Sequence, residues 1–166
     1  MRQISLFQKP VLILDGALGT ELIRRGFKPH PVCWTAGAAS QEPDLLRQIH
    51  REYIRSGAQV ITACTSRTSL YTLRKIGLGI HLAKAWTFRA VQIAKEAAKE
   101  GEGLEARPVF IAGSLFPLED CYQPRLVPNK KTLKKYHSQM AFWLKKAGCD
   151  IALGETLSST REALAI

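Results

Sequence analysis

The hydrophobic residues of this chain include four short, nearly continuous runs, separated by much longer segments of mixed polarity. Each run is rich in β-branched side chains, a pattern typical of strands buried on both faces of a parallel sheet. The four predicted strands are Val11–Leu14, Val60–Thr62, Val109–Ala112 and Ile151–Leu153. The intervals between them are long enough for a loop, a helix and a return turn each time.

The segments after these strands repeat apolar residues every three or four positions, which predicts amphipathic helices. Gly57 and Gly148 stand where two of the helices would end. The spacing of Ser159 and Glu162 matches a capping box at the start of the last helix. The predicted helices are Asp44–Ser56, Leu82–Ala98, Leu133–Ala147 and one that begins near Ser159. This alternation predicts an α/β fold, either an open doubly wound sheet or part of a (β/α)₈ barrel, and periodicity alone does not choose between them.

Polar side chains follow the predicted strands, at the edge where both architectures place their chemistry. Asp15 follows the first strand, Thr65 the second, Ser114 the third and Glu155 the fourth. Two carboxylates on one edge predict a site for a polar or cationic ligand and disfavour an anionic nucleotide or flavin. Taken singly, Asp15 could cap the following turn, and Glu155 could pair with a basic neighbour.

Charge and cysteine content narrow the function classes. The chain carries 24 Lys and Arg against 14 Asp and Glu, a net charge of +10, which would attract nucleic acid without a specific site. The basic residues are dispersed and accompany no nucleic-acid-binding motif, so nucleic-acid binding is not expected.

The four cysteines form no CxxC pair, which predicts reduced thiols. No apolar stretch approaches the length of a membrane span, and we expect a cytoplasmic protein.

Several motifs together resemble one known family. Asp15–Leu22 (DGALGTEL), followed by Arg25-Gly26, resembles the opening DGxxGTxL…RG of the homocysteine S-methyltransferase family. Ala112-Gly113-Ser114 is similar to its third strand, and Gly148-Cys149-Asp150 with Glu155-Thr156 is similar to its fourth, GxD…ET. The resemblance implies a (β/α)₈ barrel of the TIM type, of which this chain carries about the first four βα units.

The resemblance also implies an activity: methyl transfer to the thiol of homocysteine, giving methionine, from S-methylmethionine or a similar donor. The family uses zinc held by three cysteine thiolates, with the fourth position open to the substrate sulfur. Carried over by position, Asp15 and Glu155 are expected near the homocysteine ammonium. Thr65, Ser114 and Trp34 are expected to line the pocket. No catalytic residue and no metal ligand is predicted in this chain.

The chain departs from the family pattern in ways that bear on function. The family's zinc cysteines come from later strands, and none of the cysteines here matches a ligand position. Cys64 stands where Asn is usual, Ser66 replaces an aromatic residue, and Phe116 occupies a position where Gly is common.

We therefore expect an N-terminal extension, residues 1–10, followed by a half barrel over residues 11–166. We expect the chain to be a truncated member of the family. A second explanation is a half barrel that associates with a complementary C-terminal half or with a second copy of itself, and whether the chain is an enzyme by itself stays open. The alternative is a catalytically inactive half-barrel binding or interaction protein.

Overall fold

The computed structural model describes residues 11–105 and 108–166, so the predicted N-terminal extension, residues 1–10, lies outside the described part of the chain. A short 3-10 turn occupies Pro124–Leu126. The other elements, in chain order, are α1 (Leu18–Arg24), α2 (Ala38–Gln41), α3 (Pro43–Arg55), β1 (Val60–Ala63), α4 (Leu70–Arg74), α5 (Ile80–Glu105), β2 (Phe110–Leu115), α6 (Lys130–Ala147), β3 (Ile151–Gly154) and α7 (Thr160–Ala163).

The three strands form a parallel sheet in the order β1-β2-β3. Thr62 lies opposite Ala112, and Ala112 lies opposite Ile151. The α/β class and the last three predicted strands are confirmed. Because the strands are parallel and joined through helices, their carboxyl ends meet at one edge of the sheet.

The predicted strand Val11–Leu14 is not a regular strand, which corrects the expected count of four. Leu14 forms a single parallel bridge with Val60, and the backbone N–H groups of Gln59 and Val60 donate to the carbonyl of Ile13. The segment thus lies beside β1 without a continuous ladder. Within the described residues no strand pairs with its outer side, and three of its four apolar side chains stay exposed.

Three long helices confirm the predicted amphipathic segments. α3, α5 and α6 contact the sheet, and side chains such as Ile61, Val91 and Leu144 form the main core cluster. Gly113 of β2 faces α6, since a Cβ built on it would lie 2.7 Å from a Leu144 methyl carbon. Side chains alternate along a strand, so Ser114 lies on the opposite face of the sheet, away from these helices.

The short helices α1, α2 and α4 are not indicated by the hydrophobic pattern. Each has at most about two turns, which is too short to display a helical period. The helix α1 begins inside the glycine-containing segment after Asp15, at Leu18. Within residues 11–105 and 108–166, no helix combines the length and the apolarity needed to cross a bilayer.

The predicted capping box at the start of α7 is wrong. Ser159 does precede the helix, but its side chain makes no capping hydrogen bond. Glu162 is instead fully buried. Its Oε1 accepts a hydrogen bond from the Leu118 backbone N–H at 2.9 Å and lies 2.9 Å from Nε2 of His137. Glu162 therefore ties α7 to α6 and to the loop after β2.

Candidate functional site

Asp15 is held at the carboxyl edge of the sheet by Thr62 of β1. The Asp15 carboxylate accepts hydrogen bonds from the Thr62 backbone N–H at 2.7 Å and from the Thr62 hydroxyl at 2.9 Å. Burial raises the pKa of the Asp15 carboxyl, the bonds from Thr62 oppose that rise, and the negative charge of Glu155 adds to it. The two carboxylates predicted from separate strands are therefore near enough to interact electrostatically.

Glu155 is joined to the ends of β1 and β2 through two serine hydroxyls. Oε1 of Glu155 accepts a short hydrogen bond from the Ser114 hydroxyl, and it lies 3.4 Å from the Ser66 hydroxyl. The two hydroxyl oxygens are 3.2 Å apart. The side chains of three successive strand ends thus meet at one place, on the face of the sheet away from the long helices.

Thr65 lies next to the serine–glutamate cluster and contacts the backbone of Ser114. Its side chain is buried, and its Oγ1 accepts a hydrogen bond from the Ser114 backbone N–H at 2.9 Å. Thr65 also lines a small cavity with Ser114, Phe116 and His137. The cavity volume is about 10 Å³, which is room for about one water molecule. The position of Thr65 indicates that it orients Ser114, because its hydroxyl is committed to backbone groups.

The Trp34 ring packs against α1, the helix that follows Asp15. A Cβ built on Gly19 would lie 2.4 Å from the Trp34 ring, so only a glycine permits this close approach. The Trp34 residue is 36% exposed. The structure therefore places all five predicted site residues at the carboxyl edge, with Trp34 at its rim.

Backbone strain is concentrated in the same loops. Trp34, Arg67 and Thr156 adopt positive φ angles of 52°, 62° and 57° although none is a glycine. This conformation is uncommon for any residue with a Cβ and is a genuine outlier for a β-branched one such as Thr156. Strained residues of this kind cluster at functional sites. Thr156 directly follows Glu155, and Arg67 directly follows Ser66.

Thr62, Ser66 and Arg67 are the members of the site that the sequence pattern did not single out for a role there. The sequence pattern places Thr62 inside a strand, and Ser66 stands out only as a departure from the family's usual aromatic residue. The pairing of β1 with β2 and the path of the Asp15 segment beside β1 bring them into the site. The polar run Thr65–Ser69 directly after a buried strand was the available signal.

The described residues do not fit a zinc site. No group of three His, Cys, Asp or Glu side chains in residues 11–105 and 108–166 is arranged to hold a metal ion. Burial raises the pKa of Cys64 and of Cys149 to about 12, and neither thiol lies in a cluster of metal-ligating side chains within those residues.

Comparison with known proteins identifies the family. The family profile described as homocysteine S-methyltransferase matches residues 12–166. The chain belongs to the homocysteine S-methyltransferase family. It is similar to homocysteine S-methyltransferase YbgG of Bacillus subtilis (strain 168), with 31% identity over 95% of this chain and 53% of that protein. The homocysteine S-methyltransferase of Escherichia coli (strain K12) is 28% identical, over 97% of this chain and 54% of that protein.

The crystal structure of the homocysteine methyltransferase MmuM from Escherichia coli, in its metallated form, superimposes with a TM-score of 0.86. The identity is 27%, and the match covers 96% of this chain and 58% of that one. This member of the homocysteine S-methyltransferase family therefore spans about half the length of the curated relatives it matches.

Proposed function

We propose that this chain is the substrate-binding part of a homocysteine S-methyltransferase, which methylates the thiol of homocysteine to give methionine. The observation that carries the proposal is that Asp15, which follows the bridged segment Val11–Leu14, and Glu155, which follows β3, lie near enough for their charges to interact. The ammonium group of an amino acid carries a positive charge and three N–H donors, and carboxylates in a partly buried site attract it more strongly than they do in water. Ser66 and Ser114 hold Glu155 in place.

In the proposed reaction, the sulfur of homocysteine attacks the methyl carbon of a donor such as S-methylmethionine. The new sulfur–carbon bond forms as the donor's sulfonium–methyl bond breaks, its electron pair stays on the donor sulfur, and the thiol proton is released. The contribution of this chain is to bind and orient homocysteine by its ammonium. Because the described residues do not fit zinc, no step through the metal is assigned to them.

We also propose that the complete fold is a (β/α)₈ barrel of which this chain forms about the first four βα units, with a complementary C-terminal half supplying the zinc cysteines. Support comes from the share of the relatives that the chain covers, about half, and from the exposed apolar segment Val11–Leu14 beside β1. Association with a second copy of the chain is the other arrangement that would cover the exposed segment Val11–Leu14. The free thiols of Cys33, Cys64, Cys121 and Cys149 support a cytoplasmic location.

The alternative, a catalytically inactive half barrel acting only in binding, is not favoured. The relatives that match over nearly the whole chain are named as methyltransferases of homocysteine. The carboxylate pair, rather than an apolar groove, is the most developed feature of the described site.

Calorimetric titration of the chain with L-homocysteine tests the ammonium site. We expect Asp15→Asn and Glu155→Gln each to weaken binding about 10- to 100-fold, since each removes a charged partner of the ammonium. Glu96→Gln is the matched control, because Glu96 lies on α5 and pairs with Arg47 at 3.0 Å, outside the site. N-acetyl-homocysteine, which has no ammonium, is expected not to bind; equal affinity for both compounds would contradict the proposal.

Methionine formation from homocysteine and S-methylmethionine, measured with zinc present, tests the activity. We expect turnover when a polypeptide spanning the C-terminal half of the Escherichia coli relative is added, and none from the 166-residue chain alone. Turnover by the chain alone would mean that its own residues suffice for a metal-thiolate site. That result would overturn the proposal that a C-terminal half supplies the zinc cysteines.

A further inference from the structure

Arg67 is a cationic residue held between two loops that border the candidate site. Its Nη1 donates a hydrogen bond to the Val32 carbonyl at 3.0 Å, two residues before Trp34. Its guanidinium carbon lies 5.3 Å from the centre of the Phe116 ring, two residues after Ser114. The side chain is half-buried. The guanidinium thus contacts the loop that carries Trp34 and the loop that begins directly after β2, the strand that carries Ser114.

Most of the hydrogen-bonding capacity of this guanidinium is unused. Arginine has five N–H donors, and one hydrogen bond from Arg67 is present within residues 11–105 and 108–166. No carboxylate in that part of the chain lies within ion-pair distance of it. Asp120 is near enough for the charge of Arg67 to lower its pKa, but bonds from Gln123 and the Tyr122 backbone contribute more to that lowering. Arg67 therefore keeps several donors for a ligand.

The position of Arg67 along the chain relates it to the carboxylate pair. Ser66 contacts Glu155 and Ser114, and Arg67 is the next residue, so their Cα atoms are about 3.8 Å apart. Arg67 adopts its positive φ of 62° at this point, which turns the backbone sharply between the two side chains. One loop therefore presents a group bound to the anionic part of the site and, directly after it, a cation.

We propose that Arg67 binds the α-carboxylate of the amino acid whose ammonium lies at Asp15 and Glu155, an inference that rests on the proposed function. Two carboxylates attract the ammonium but repel the α-carboxylate of the same substrate, whose carbon is bonded directly to the ammonium-bearing carbon and is therefore held close to the pair. A planar guanidinium matches a carboxylate with two parallel hydrogen bonds and offsets that repulsion. Arg67 thereby selects amino acids over simple aminothiols.

The test compares L-homocysteine with 3-mercaptopropylamine, the same thiol and amine without the carboxylate, by calorimetric titration. Arg67→Gln is expected to weaken binding of L-homocysteine about 10- to 100-fold, because a charged hydrogen-bonding partner is lost, and to change binding of the amine by about twofold at most. Arg67→Lys keeps the charge without the two-pronged geometry and should give an intermediate loss. Arg74→Gln, an exposed arginine of α4 that bonds Tyr136, is the matched control.

Three results would overturn the assignment, and each has a different meaning. Equal losses for both ligands in Arg67→Gln would show that the arginine only braces the two loops. Equal affinity of the wild-type chain for both ligands would leave the ammonium site standing and remove the role of Arg67. Failure of the folded wild-type chain, checked by circular dichroism, to bind either ligand would overturn the proposed function itself and this inference with it.

Discussion

His50 is the clearest case of a single residue whose environment alters its chemistry. It lies on the buried side of α3 and is fully enclosed. Neither ring nitrogen has a hydrogen-bond partner within the described part of the chain. Burial lowers the pKa of His50 to about 4 from its ordinary value of 6.5. The folded protein therefore keeps His50 neutral across a pH range in which the unfolded chain would protonate it.

This difference predicts a loss of stability in acid. The unfolded chain binds the His50 proton below pH 6.5 and the folded chain only below about 4, so the free energy of unfolding should fall as the pH drops through that window. The contribution of His50 to the fall is about 3 kcal/mol. Urea unfolding at a series of pH values measures it. His50→Leu should lack this part of the pH dependence.

His81→Leu is the matched control, because His81 lies at an exposed position of α5 and the variant retains the buried His50. It should unfold with the pH dependence of the wild-type chain. The same slope in His50→Leu as in the wild type would show that another group causes the acid loss.

The N-terminal ends of α6 and α7 differ in whether a local side chain caps the helix. The side chain of Asn129 accepts a hydrogen bond from the Thr132 backbone N–H at 3.0 Å and caps α6. Ser159 occupies the same position before α7 without such a bond, although its sequence context is the more familiar capping pattern. The Glu162 backbone N–H, from which a capping hydroxyl would accept, donates instead to the Ser159 carbonyl at 3.1 Å. The Glu162 carboxylate, the other member of that pattern, is engaged by His137 and Leu118.

The two caps therefore differ in their expected effects on stability. Asn129→Ala should lower the free energy of unfolding by about 1 kcal/mol, the usual cost of losing a side-chain cap. Ser159→Ala, the matched substitution, should cost about 0.5 kcal/mol or less, since no capping bond is removed. Urea unfolding monitored by circular dichroism measures both. A loss in Ser159→Ala as large as that in Asn129→Ala would mean that the Ser159 hydroxyl caps α7 in solution.

On the scale of the whole molecule, the main feature is an apolar margin beside β1. Val11, Ile13 and Leu14 are 71%, 54% and 49% exposed. The backbone of this segment bonds to Gln59 and Val60 on one side, and its side chains have little cover in the described residues. Exposed apolar margins of sheets commonly mark places where another chain pairs. The complementary C-terminal half proposed above is one chain that would cover this segment.

If the C-terminal half packs against Val11–Leu14, a charged substitution in this segment should weaken the association of the two halves. Ile13→Lys should weaken binding to the C-terminal half at least about tenfold, because a charge would have to be buried at the junction. Phe142→Lys is the matched control. Phe142 is 58% exposed on α6, a helix that contacts β2, α5 and α7. Sedimentation equilibrium of mixtures with the C-terminal polypeptide gives the dissociation constants. Equal weakening by both substitutions would place the junction elsewhere.

The pattern along the chain correctly predicted the α/β class, three of the strands and the three long helices. It also singled out Asp15 and Glu155 as carboxylates that directly follow apolar runs. Each of these follows from local information: the period of the apolar residues, and a polar residue directly after a buried run. The family was recognisable from motifs in order along the chain, and residues 12–166 match the family profile.

The pairing of the polar side chains, by contrast, depends on contacts between residues that are far apart in the sequence. Asp15 with Thr62, Glu155 with Ser114, and Glu162 with His137 are separated by 47, 41 and 25 residues along the chain. Such pairs depend on strand register and on which helix packs beside which loop, and no local pattern encodes either. The first apolar run, Val11–Leu14, is a further case. Its pattern predicts a strand, but it forms a single bridge, because a continuous ladder needs hydrogen-bonding partners along its whole length.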